Sequence, residues 1–77
     1  MRADWKKHIT SDPKVMLGKP IIKGTRITVE LILEKLSEGE PIEQILESHP
    51  QLVKKSIYAC LAYAQDSIKN ETAYSLA

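Results

Sequence analysis

The chain has 77 residues, a net charge of +1, one cysteine and no phenylalanine. That length allows one domain that buries only about 60–65% of its unfolded surface, so support from oligomerisation or a partner is expected. No apolar run is long enough to cross a membrane, Arg2, Asp4, Lys6 and Lys7 interrupt any apolar leader, and a lone Cys60 excludes an internal disulfide and fits a reducing cytoplasm.

Residues 1–8 read as an arm with Trp5 as its anchor, and Ile9-Thr10-Ser11 as a short strand before an Asp12-Pro13 turn. A β-hairpin is expected at about residues 20–28. Pro20 stands at the strand start, Ile21 and Ile22 precede Lys23-Gly24, and Thr25, Arg26 and Ile27 resume the strand. Gly24 supplies a positive φ that Lys23 would resist, so a type I turn closed by a Gly bulge is expected over type I′.

Helix one starts at Thr28 as N-cap, with Glu30 in its first turn and Val29, Ile32, Leu33 and Leu36 on one face; Gly39 stops it. Helix two opens with Pro41 in its first position, buries Ile42, Ile45 and Leu46, and ends at His49-Pro50. Helix three runs from about Val53 to Ile68, with Val53, Ile57, Cys60, Leu61, Ala64 and Ile68 as its apolar stripe and Leu52 placed to staple onto Ile57. Its other side carries Tyr58, Ala59, Ala62 and Tyr63. A helix apolar nearly all round is buried twice, either by the hairpin or at a subunit interface formed by Ala59, Ala62 and Tyr63.

The fold class expected is therefore mainly α, a three-helix helix-turn-helix domain of winged-helix-like type behind a short N-terminal β-hairpin. One domain covers residues 1–77: arm 1–8, hairpin region 9–28, helices 29–68 and tail 69–77. The net charge of +1 conceals +5 over residues 1–28 and −5 over residues 29–52, where six glutamates face Lys35 alone. Glutamates on helix faces are ordinary solvated surface; the undiluted basic third points to an anionic partner.

Enzyme chemistry finds no support. His8 and His49 are far apart, no paired Cys or His spacing offers a metal site, and Cys60 falls on the buried stripe. Lys23-Gly24-Thr25 enters a strand, whereas a phosphate-binding loop needs Gly-Lys-Ser/Thr opening a helix. No cofactor, metal, small-molecule substrate or membrane association is expected.

Ser11-Asp12-Pro13, the run Met16-Leu17-Gly18-Lys19-Pro20-Ile21-Ile22-Lys23-Gly24-Thr25-Arg26-Ile27, Gly39, and Ala62-Tyr63-Ala64 together resemble the bacterial family catalogued as domain of unknown function 433. The resemblance spans about Ile9 to Ile68. It implies the winged-helix-like fold and an antitoxin-like role beside a PIN-like nuclease toxin. Leu17 stands where the family commonly has a second Gly, and Pro41 and Val53 stand where it has a Ser or Thr cap.

Two binding modes are thus expected of a cytoplasmic homodimer. In one, double-stranded DNA is read by Lys54, Lys55, Ser56 and Tyr58 at the start of helix three, with Lys19, Lys23 and Arg26 on flanking phosphates. In the other, the acidic helices mimic nucleic acid against a nuclease cleft, or the tail from Asn70 to Ala77 docks as an extended segment.

Overall fold

The computed structural model describes residues 4–70; the tail residues Thr72, Ala73, Tyr74 and Leu76 lie outside them. Trp5–Lys7 form one 3-10 turn capped by the Asp4 carboxylate. Two short strands, β1 (Ile9–Thr10) and β2 (Ile21–Ile22), pair antiparallel with Ile9 opposite Ile22 and Thr10 opposite Ile21. Three helices follow: α1 (Val29–Ser37), α2 (Ile42–Ser48) and α3 (Lys54–Lys69). The protein is mainly helical, with a small two-stranded sheet.

The expected hairpin is present but plays a different part. Ile22 and Ile27 bond through Ile22 N–H to Ile27 O at 2.9 Å, and Ile21 bridges Thr28, so the returning arm is a single rung. The true partner of β2 is β1, which sequence made only a possible addition. Thr25 N–H donates to Ile22 O at 3.0 Å with Gly24 third in the turn at φ +79°, which is type II geometry and not the expected type I turn with a bulge. The positive φ at Gly24 is as expected. No atom crowds a Cβ there, so a side chain would cost backbone energy alone.

Helix ends follow their local chemistry. Thr28 Oγ1 accepts from Leu31 N–H at 3.0 Å. At the other end of α1, Glu40 N–H reaches Lys35 O at 3.1 Å around Gly39 at φ +88°, a Schellman closure reinforced by the Lys35–Glu40 ion pair at 3.6 Å. Pro41 proves to be the N-cap of α2, one residue before its expected place, because its ψ of 150° is extended. Val53 caps α3 without a hydroxyl of its own. Ser56 supplies it, its Oγ accepting from Val53 N–H at 3.2 Å while Ser56 N–H donates to Val53 O at 2.9 Å.

The core joins Ile9, Ile22, Val29, Ile32, Ile45, Leu52, Ile57, Ala59 and Cys60. On α3 the buried face is Ser56, Ile57, Ala59, Cys60 and Ala62. The stripe read from sequence is therefore rotated: Val53, Leu61 and Ile68 are exposed, at 57%, 43% and 70%. The rotation follows from the N-terminal segment. The Trp5 turn and β1 both pack on α3, and small side chains at 59, 60 and 62 permit that approach. Trp5 sets its ring edge-on to Tyr63, 4.9 Å between centroids, and its Nε1–H donates to Asp66 Oδ2 at 2.6 Å.

Between the strands, residues 12–19 form a hydrogen-bonded loop. Val15 N–H closes on Asp12 O at 2.8 Å, Lys14 N–H on Asp12 Oδ1 at 2.9 Å, and Gly18 N–H on Val15 O at 3.1 Å. These bonds hold Met16 and Leu17 at φ +50° and +59°, ahead of Gly18 at +80°. A left-handed Leu costs about 1 kcal/mol or more, and Leu17, 94% exposed, recovers none of it by packing.

Two stability experiments follow. Leu17→Gly should stabilise the domain by about 0.5–1 kcal/mol, a Tm rise of a few degrees, whereas Gly24→Val should lower stability by about 1 kcal/mol or more; thermal melts measure both. Trp5→Ala should cost about 2 kcal/mol by removing a half-buried aromatic and its charge-assisted hydrogen bond, read by urea titration with far-UV circular dichroism.

Candidate nucleic-acid and protein interface

The hairpin and the start of α3 carry the cations expected to contact DNA, and the fold places them unequally. Lys23, on the type II turn, and Arg26, just beyond it, are exposed and have no ion-pair partner among the described residues. The turn is rigid at this point: Lys23 N–H donates to His8 O at 2.8 Å, and Thr25 Oγ1 both donates to Ile22 O at 2.7 Å and accepts from Ile27 N–H at 3.0 Å. Arg26 also lines an open groove of about 660 Å³ with Thr10, Ser11, Asp12, Pro13 and Thr25.

Lys19 is different. Its Nζ meets Glu30 Oε1 at 2.9 Å across an exposed pair, so part of its charge is answered within the chain. An exposed pair of this kind is weak and is readily exchanged for a phosphate.

Lys54, Lys55 and Tyr58 are exposed on α3, as a surface-reading role would require. Ser56 is not: only 6% exposed, it has its hydroxyl engaged by Val53 N–H and cannot reach a base edge. His8, bonded to Lys23, belongs to the same segment as Trp5, which sits against Tyr63 and Asp66. The Trp5 turn thus docks on the C-terminal half of α3, roughly 13–18 Å along the helix axis from Lys54. Lys6 and Lys7, in the segment expected as an arm, are exposed on the 3-10 turn. Lys6 Nζ lies 6.0 Å from the Trp5 ring centre.

The residues expected at a dimer contact are accounted for within one chain. Ala59 is fully buried, Ala62 is 5% exposed, and half-buried Tyr63 packs on Trp5. The Trp5 turn and β1 pack on α3 beside these residues. What remains open on α3 is its opposite side, with Tyr58 at 47%, Leu61 at 43% and Ile68 at 70% exposure.

Acid is segregated onto other elements. Glu30, Glu34, Glu38, Glu43 and Glu47 are exposed on α1 and α2 and at their junction. Among the described residues no cluster of His, Cys, Asp and Glu could hold a metal ion, and no helix is long and apolar enough to cross a membrane. Cys60 is fully buried, and burial pushes its thiol up to about 12.

The fold and its surfaces define a small helical domain fronted by a cationic hairpin, with separate acidic and apolar faces. The chain belongs to the family described as Protein of unknown function (DUF433), which it matches over residues 9–64. It is also 32% identical over 57 residues to the uncharacterized protein y4eO of Sinorhizobium fredii (strain NBRC 101917 / NGR234). The match covers 74% of this chain and 26% of that protein, so the chain spans about a quarter of the length of that relative. No solved structure matches.

Because its thiol stays protonated in the fold, Cys60 should resist aromatic disulfide reagents at pH 8 in native protein and react fully in urea. With the folded pKa raised, its contribution to stability is complete below the unfolded value near 9 and is lost as pH rises toward about 12. Fast labelling of the native protein would show the core open at this point.

Proposed function

We propose that this domain is a binding module with an antitoxin-like role, one that holds operator DNA through its hairpin and a PIN-like nuclease partner through another face. The observation that carries the DNA half is the pair Lys23 and Arg26, exposed, without ion-pair partners among the described residues, and set on and directly after a hydrogen-bonded turn. Cations on a rigid element grip phosphate without ordering a loop first, and they carry little sequence information. Lys6 and Lys7 extend this grip along the N-terminal segment. Lys54 and Lys55 add a second cationic point at the start of α3.

A partner-neutralising reading draws on a different surface. The exposed glutamates of α1 and α2 present a row of carboxylates, of which Glu30 is held by Lys19. Such a row suits a cleft built for nucleic acid. The family resemblance supports the nuclease as partner, and the two readings are compatible in one molecule.

Fluorescence anisotropy with duplex DNA from the protein's own operon, and with scrambled duplex, tests the first reading. Neutralising about 4–8 phosphates per dimer would give a log–log salt slope of roughly −4 to −7. Lys23→Ala with Arg26→Ala should weaken binding to both duplexes alike and flatten the slope by about 1 to 2 per chain. Lys54→Ala with Lys55→Ala should have the smaller effect if the hairpin dominates. Absence of binding at low salt, with and without a nuclease from the adjacent reading frame, would leave neutralisation through the glutamates as the function.

A further inference from the structure

The loop between the two strands holds a feature that the fold itself does not use. Met16 and Leu17 stand consecutively in the left-handed region, at φ +50° and +59°, where an L side chain is disfavoured. Leu17 is 94% exposed and recovers none of that cost by packing; Met16 beside it is 41% exposed. Among the described residues the next most open large apolar side chain is Ile68, at 70%. Nor is the loop slack chain. Asp12 O, Asp12 Oδ1 and Val15 O accept from Val15, Lys14 and Gly18, and Lys19 N–H closes on Met16 O at 3.1 Å. A strained conformation held by several hydrogen bonds, with an apolar tip in water, finds its compensation outside the chain.

We propose that Leu17 is a wedge that enters the minor groove of double-stranded DNA and opens a base step. This rests on the DNA reading of the hairpin and names how that surface holds the duplex. Charge points to the occupant. Residues 13–28 contain Lys14, Lys19, Lys23 and Arg26 and no acid, so the apolar tip is bracketed by a lysine three residues before it and another two after. Both are exposed; Lys19 exchanges Glu30 for a phosphate, and the Asp12 carboxylate at the foot of the loop is engaged by Lys14 N–H. An apolar side chain between cations suits a polyanion with an apolar interior. The lysines meet phosphates on the two rims, and the leucine meets the faces of the stacked bases.

The loop and the hairpin also share a surface. Asp12, Pro13 and Val15 of the loop line the same open groove as Gly24 and Thr25 of the turn and Arg26 just beyond it. A phosphate backbone held by Arg26 is thereby brought to the loop that carries Leu17. The tip is narrow, because Gly18 follows Leu17 without a side chain and backs onto Pro13, whose Cα would lie 3.7 Å from a Cβ there. One leucine at the end of a turn fits a minor groove about 6 Å wide, where a helix does not. Such a wedge senses how easily a step deforms, and pyrimidine–purine steps such as TA open most readily. That supplies a sequence preference which cations on phosphate lack.

Stability and binding should move in opposite directions, which a purely structural role for Leu17 does not produce. Leu17→Gly relieves the strain and raises Tm by a few degrees. It should nonetheless weaken binding to a short duplex with a central TA step roughly tenfold, the loss expected for one leucine no longer buried. Leu17→Asn, polar and tolerated in the left-handed region, should bind as weakly; Leu17→Met should bind within about twofold of wild type. The salt slope should stay unchanged in all three, because no cation is lost. With 2-aminopurine as the purine of the TA step, wild-type protein should raise its fluorescence as the base unstacks, and Leu17→Gly should not. Anisotropy, 2-aminopurine emission and thermal melts on the full chain provide these readings. Wild-type binding with a normal salt slope but silent 2-aminopurine at every position of the duplex overturns the wedge and leaves the hairpin reading standing. Undiminished binding by Leu17→Gly and Leu17→Asn does the same. No duplex binding at low salt overturns both, and Leu17-dependent binding to phosphatidylserine vesicles in that case assigns the tip to a lipid surface.

Discussion

The contact of the N-terminal segment with α3 sets what every other surface can be. Ala59, Cys60 and Ala62 give α3 a shallow side, and β1 and the Trp5 turn settle into it. Trp5 fixes the far edge, with its ring on Tyr63 and its indole N–H on Asp66, 61 residues away in the chain. A domain this small has little interior to spare. By docking the Trp5 turn and β1 on α3, it gains a layer that the three helices alone do not supply. The same contact sets β1, on which β2 pairs, against α3 and leaves Tyr58, Leu61 and Ile68 of that helix exposed.

What was legible in the sequence was local. Thr28 as N-cap, Gly39 as helix stop and Gly24 at positive φ each depend on chemistry within four or five residues, and each is found in place. The helix boundaries fall within a residue or two of their expected positions for the same reason. The stripe on α3 was not legible, because periodicity alone cannot choose between two apolar sides. Val53, Leu61 and Ile68 are as hydrophobic as a core asks, yet the side that goes in is the one whose small residues admit another segment. Side-chain size decided where hydrophobicity was ambiguous.

The hairpin shows a related limit. Its turn residues allow more than one turn type, and the choice of type II rests on which carbonyl Thr25 N–H can reach once Ile22 is held between β1 and the returning Ile27. Strand pairing over distance fixed a local geometry. Leu17 is the converse case. A local geometry is imposed by the closed loop from Asp12 to Gly18, on a residue type that gains nothing from it. No property of a leucine in the sequence announces that it stands in the left-handed region; only the hydrogen bonds of its neighbours do.

The placement of charge bears on how one small chain could serve two partners. Cations sit on the hairpin, the 3-10 turn and the first turn of α3; the exposed glutamates ride on α1 and α2. Lys19 with Glu30 marks the one place where an ion pair joins these two sets among the described residues. At physiological ionic strength, fields decay over roughly 8 Å. Surfaces on different elements of such a domain therefore act nearly independently, and a polyanion approaching the hairpin is little affected by carboxylates on the helices beyond that range. The boundary pair is the exception: a phosphate that takes Lys19 frees Glu30 at the N-terminal turn of α1, where the helix dipole already favours a carboxylate. The two charge sets need not compete for space, and this separation is what gives a 77-residue chain room for more than one contact.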